Sequence, residues 1–136
     1  MASEVTTHVG AAFANVILAP MSQHDTPIAK RVERIATNLR DFYAGGTMPC
    51  LLEALSVEAV NETISANLAA AAEAWIGAFT AIAIEAGIPP RRARQRAEDA
   101  IANIEGALVL ARVTGSTAAF ERTMKSLPNT LANNDD

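Results

Sequence analysis

Between Val57 and Ala86 the apolar residues Val57, Val60, Ile64, Leu68, Trp75, Phe79, Ile82 and Ala86 keep to one helical stripe. At about 100° per residue this spacing lines a single face of a helix, whereas a strand needs alternation with a period of two. The stripe predicts a helix of about 30 residues, close to 45 Å long at about 1.5 Å per residue. A chain of 136 residues built on such a spine must pack further helices along it.

Those helices are legible on either side. Val5, Val9, Phe13 and Val16 form a first stripe that stops before Pro20, whose ring cannot continue a helix. Thr26 can cap, and Pro27 can occupy the first turn of, a second helix. It carries Ile28, Val32, Ile35, Leu39 and Phe42 on one face and is ended by Gly45 and Gly46. "PCLLEAL" is at most a short helix, after which Ser56 offers a cap for the spine. Gly87 and "IPP" end the spine, Pro90 opens the next helix, and Thr114 and Gly115 close it. In the last helix, capped by Ser116 or Thr117, Phe120, Met124, Leu127 and Leu131 share a face. Pro128 argues against its running straight through to Leu131. The tail "ANNDD" is polar and expected to fray. With no alternating pattern and no internal repeat, the expectation is an all-α bundle of about five to six helices in one domain, residues 1–136.

One helix is wetter at its start than at its end. In "AEDAIANIEGALVLARVTG", residues 97–115, Ala97, Ile101, Ile104, Leu108 and Ala111 lie on one stripe, with Asp99 and Asn103 opposite. Past Glu105 the far side holds Gly106, Val109, Leu110 and Val113, which a water-facing surface does not need. That second face calls for a cover.

Composition narrows the functions. Four Phe, one Tyr and one Trp beside abundant Ala and Leu favour closely packed helices. Eleven basic against fifteen acidic residues, a net charge of −4, argue against this chain alone neutralising many phosphates. The single Cys50 excludes an internal disulfide, is too little for a cysteine metal site, and suits a reducing cytosol. "VGAAFANVILAP" is preceded by Glu4 and by no Lys or Arg, the opposite of a secretory signal. Residues 67–84 approach the length of a membrane span, but Asn67, Glu73 and the weakly hydrophobic alanines make lipid costly, so no span is expected.

A search for chemistry finds little. Nucleophilic catalysis by Cys50 would need a base, and His8 and His24 sit in no recognisable motif, so Cys50 reads as a small buried apolar residue. No HExxH occurs, and Glu53, Glu58 and Glu62 read as a solvated face. "AGG" and "IGA" lack the context that cradles phosphate. The basic run "RRARQR", Arg91 to Arg96, opens a helix where the macrodipole disfavours cations. Glu98, Asp99 and Glu105 follow it, and it reads as a solvated helix start with pairs such as Arg94 and Glu98. No enzyme activity, metal or cofactor is expected. Phe42, Tyr43, Met48, Cys50, Leu52, Trp75 and Phe79 gather where a short helix meets two long ones. Met and aromatics make adaptable walls for an apolar ligand, and a packed core uses the same residues.

The stretch "RRARQRAEDAIANIEGALVLARVTGSTAAFERTMKSLPNTL" resembles the end of TetR-family transcriptional regulators through Ala97, Ile101, Glu105, Gly106, Ala107, Leu108, Leu110, Ala111 and Arg112, then Phe120, Leu127 and Leu131. "FYAGGTMPCLLEALS" and "EAWIGAFTAIAIEAG" resemble that family's regulatory domain, so the likeness covers about residues 27 to 131. The resemblance implies an orthogonal helical bundle whose last two long helices pair with those of a second subunit. Gly106, Val109, Leu110, Val113, Phe120, Met124 and Leu127 would then form a homodimer interface. It also implies a pocket for a small apolar or aromatic effector, walled by Phe42, Tyr43, Met48, Cys50, Trp75 and Phe79. Family members read DNA through an N-terminal helix-turn-helix domain. Met1 to Pro20, expected as one helix, do not supply it, so DNA contact is expected only through a domain absent from this chain. The expectation is a cytoplasmic, non-enzymatic, effector-sensing and dimerisation domain of a repressor. The alternative is a small helical interaction or scaffold protein with a solid core and no ligand.

Overall fold

The structure, a computed structural model, describes residues 24–48 and 62–134. The stripe from Val5 to Val16, His8, Cys50 and "PCLLEAL" lie outside the described residues, as does the expected start of the spine. Within them the regular structure is helical: α1 (Ile28–Phe42), a one-turn 3-10 helix (Ala44–Gly46), α2 (Glu62–Glu85), α3 (Pro90–Thr114) and α4 (Ala118–Ala132). The class is all-α, and the described residues hold four of the expected five to six helices.

Among the described residues the helices bury the central part of the stripes their sequences mark, in α2 Trp75, Phe79 and Ile82. In α1 the inward residues are Arg31, Val32, Ile35, Ala36 and Leu39. Its start corrects the expected cap: Pro27 itself is the N-cap and no side chain caps the helix. The Thr26 carbonyl instead accepts a hydrogen bond from Arg31 Nε at 2.9 Å. After Tyr43 the chain turns sharply through Gly46, at φ 102°. A Cβ at Gly46 would lie 3.0 Å from the Phe120 ring, so glycine serves both the left-handed backbone and the close approach.

Pro90 opens α3 behind the N-cap Pro89, and Gly115, in the left-handed conformation, closes it by donating its N–H to the Ala111 carbonyl. Thr117 is the N-cap residue of α4 without a side-chain bond. The Ser116 hydroxyl takes up the orphan amide of Ala118 at 3.3 Å. Contrary to the expected break, α4 continues through Pro128 to Ala132. Phe120, Met124, Leu127 and Leu131 are all at most 1 % exposed. Only Leu131 of these lies beyond Pro128, and its burial, worth about 1.5–3 kcal/mol, together with the hydrogen bonds that Arg96 donates to the Thr130 and Asn133 carbonyls, offsets the roughly 3 kcal/mol cost of an interior proline.

α2 packs on α3, α3 on α4 and α4 on α1, whereas backbone contact between α1 and α2 is slight. One core runs through the stack, with Ile35 and Leu39 of α1, Phe79 of α2, Ile104 and Leu108 of α3, and Phe120 of α4. A satellite cluster of Ala83, Ile88 and Ala93 seals the turn between α2 and α3.

Candidate functional site

The two long faces of α3 differ in kind. Ala97, Ile101, Ile104, Leu108 and Ala111 are buried against the chain's own core. On the other side Leu110 is 51 % exposed and Val113 74 %. Beside them, between α3 and α4, runs an open groove of about 710 Å³. Ala102, Gly106, Val109 and Leu110 form its α3 wall, and Ala119, Arg122, Thr123 and Ser126 its α4 wall. A Cβ placed on Gly106 would meet nothing within 4 Å. Packing within one chain therefore gives no reason for a glycine there, although an interior helical glycine costs about 1 kcal/mol relative to alanine.

Of the residues expected at a subunit interface, Gly106, Val109, Leu110 and Val113 stand on this outer face. Phe120, Met124 and Leu127 do not: they lie inside the chain's own core at no more than 1 % exposure. The face that α4 turns outward is the neighbouring one, with Ala119, Arg122, Thr123 and Ser126. Sequence reasoning missed it because an apolar stripe on a short amphipathic helix marks the core, while a face of small and polar residues carries no signal of contact.

The expected pocket residues divide in the same way. Phe42 and Tyr43 meet edge to face with ring centroids 5.0 Å apart. Tyr43 meets Phe120 at 6.3 Å, and Trp75 meets Phe79 at 5.9 Å. Tyr43, Trp75 and Phe79 are buried in the core, with Phe42 packed half-buried against it. Met48, by contrast, is 50 % exposed. Phe42 and Tyr43, at the end of α1, and the Trp75–Phe79 pair of α2 thus stand on two elements with few close backbone contacts. They line neither the groove nor a smaller polar recess of about 180 Å³ beside Arg96, Asp99 and Asn129.

The basic run at the start of α3 is largely engaged by the chain itself. Arg94 Nε donates to Glu98 at 3.2 Å, and its two terminal nitrogens donate to Glu73 of α2 at 3.3 and 3.1 Å. Arg96 donates to the Asn133 carbonyl and, at 3.4 Å, to that of Thr130. Between α1 and the end of α2, Arg31 holds both carboxylate oxygens of Glu85. Those hydrogen bonds keep the Glu85 carboxyl below its ordinary range against the opposing effect of burial, with the charges of Arg31 and His24 adding to them. His24 stands at the surface with Nδ1 3.9 Å from Glu85. Among the described residues no group of three or more His, Cys, Asp or Glu is placed to hold a metal, and no helix is long and apolar enough to cross a membrane.

Comparison with curated proteins and with solved structures finds no match. A family profile does match, over residues 25–126, and its description is "Transcriptional regulator LmrA/YxaF-like, C-terminal domain", a domain of TetR-type regulators rather than of enzymes. With three-quarters of the chain inside that match, and with its helices stacked as described, the protein belongs to the family of TetR-type regulator C-terminal domains of the LmrA/YxaF-like kind.

Proposed function

We propose that this chain is the effector-sensing and dimerisation domain of a TetR-type repressor, acting in the cytoplasm as a homodimer. DNA contact falls to a separate helix-turn-helix domain. The observation that carries this reading is the outer face of α3, where Leu110 and Val113 stand exposed beside a glycine that its own chain does not require. A second copy related by a two-fold axis places the same patch over it, and each chain covers the other. The test is light scattering after size exclusion. The unmodified protein is expected to run as a dimer at micromolar concentrations, and Leu110→Asp as a folded monomer, because an unpaired charge at the centre of such a contact costs several kcal/mol. A monomeric mass for the unmodified protein refutes the proposal.

The small apolar or aromatic effector belongs between α1 and α2, against Trp75 and Phe79, with Phe42 and Tyr43 opposite. The slight backbone contact between these helices supports that position. The complete burial of Tyr43 and Phe79 favours the scaffold reading, in which the same side chains are solid core. A panel of apolar ligands decides between them: binding must change Trp75 fluorescence and raise the melting temperature, since a ligand that binds only the folded state stabilises it.

A further inference from the structure

Arg31 is the one charged side chain buried among the described residues, at 2 % exposure. It sits on the apolar stripe of α1 beside Val32 and Ile35, a position where leucine would pack without any desolvation penalty. Its guanidinium is divided between two distant places. Nε donates to the Thr26 carbonyl at 2.9 Å, in the segment leading into α1. Nη1 donates to Glu85 Oε2 at 3.0 Å and Nη2 to Oε1, at the last residue of α2. A planar fork can satisfy a backbone carbonyl and both carboxylate oxygens at once in a fixed geometry, which a lysine ammonium cannot do.

The location gives this arrangement a mechanical meaning. α1 and α2 share few close backbone contacts and meet through side chains of the common core, so the guanidinium is a direct polar strap between them at one end. Glu85 lies less than one turn beyond Ile82, which is buried on the same core face as Trp75 and Phe79. A displacement of that face moves Glu85 with it, because the helix between them is continuous.

We propose that Arg31 is a positioning residue that couples the end of α2 to the backbone at Thr26, so that a shift of α2 is handed to the segment leading into α1. The coupling is a property of the unliganded chain and holds whether the core between α1 and α2 is open or solid.

The test perturbs α2 and reads the segment leading into α1 in the 136-residue chain. Ile82→Val removes one buried methyl group, and the backbone amide resonances of Asp25, Thr26 and Ile28 report the response by NMR. In the otherwise unmodified protein these resonances are expected to move, and in the Arg31→Met background the movement is expected to fall to about a third or less. Arg31→Lys, which keeps the charge and loses the fork, is expected to behave like Arg31→Met. Should Arg31→Met fail to fold, Glu85→Ala cuts the same strap from its more exposed end, with the same expected loss of response. No movement in the unmodified background overturns the proposal, and so does an undiminished movement in any of the three strap variants.

Discussion

Gly106→Ala separates what a single chain needs from what a pair of chains needs. In one chain the new methyl group enters open space, since nothing lies within 4 Å of the position. The helix interior gains about 0.8–1 kcal/mol from replacing glycine with alanine, equivalent to a melting point about 3–5 °C higher for a domain of this size. In the proposed dimer the same methyl group stands where the two α3 backbones approach, and the two-fold axis repeats it. Overpacking costs about 1–3 kcal/mol per site, so dimer dissociation should become easier by at least about tenfold, at roughly 1.4 kcal/mol per decade. Gly77 supplies the control: it is exposed on α2, also with nothing within 4 Å of an added Cβ. Gly77→Ala should raise the melting point alike and leave association untouched. Sedimentation over a dilution series gives the dissociation constants, and thermal melts on dilute, monomeric samples give the stability change. A Gly106→Ala dimer as tight as the unmodified one would refute the close approach of the two backbones.

Three further outcomes are expected. Gly46→Ala forces a Cβ to within 3.0 Å of the Phe120 ring at a backbone φ of +102°, and should destabilise the chain by about 2–3 kcal/mol in urea melts. Pro128→Ala restores an amide to the interior of α4 and should stabilise by about 1–3 kcal/mol, measured in the same way; no gain would mean that α4 does not continue through this residue. The Glu85 carboxyl, held below its ordinary range chiefly by hydrogen bonds from Arg31, lends stability that is complete above its unfolded value of about 4.3 and fades as pH falls through the folded value. The stability gap between the unmodified protein and Glu85→Gln is therefore expected to hold from neutrality to about pH 5 and to close below about pH 4; a gap that persists in strong acid would show that Glu85 does not act through its charge.

What the sequence could say followed from which interactions are periodic. Stripes such as Val32, Ile35 and Leu39, or Ile101, Ile104 and Leu108, repeat along one helix, so they announced both the helices and their buried faces. The unclaimed face of Gly106, Leu110 and Val113 was legible for the same reason, as apolar residues on the wrong side of an amphipathic pattern. Arg31 was not. An arginine on an apolar stripe looks like a blemish in the pattern until Glu85, 54 residues away, is brought beside it. Nor could the sequence show that Phe120 and Met124 turn inward while Arg122 and Thr123 face the groove, because two adjacent faces of one helix compete for the label of contact surface. Pro128 shows only its local backbone penalty in the sequence, whereas the burial of Leu131 beyond it and the bonds from Arg96 to the last turn depend on the tertiary fold.

Arg96 has a consequence for how the chain comes apart. Its guanidinium bonds the carbonyls of Thr130 and Asn133, so the early part of α3 grips the far end of α4, where the helix dipole presents negative charge. The hairpin of α3 and α4 is thereby joined twice, by its covalent turn at Gly115 and by this clasp at the open end. The last turn of a helix ordinarily frays before its middle does. Here peeling the final turn also costs the two hydrogen bonds from Arg96, which favours opening of the hairpin as one unit. Amide exchange along α4 should accordingly show a plateau of protection reaching into its last turn, in place of a gradient that falls towards it.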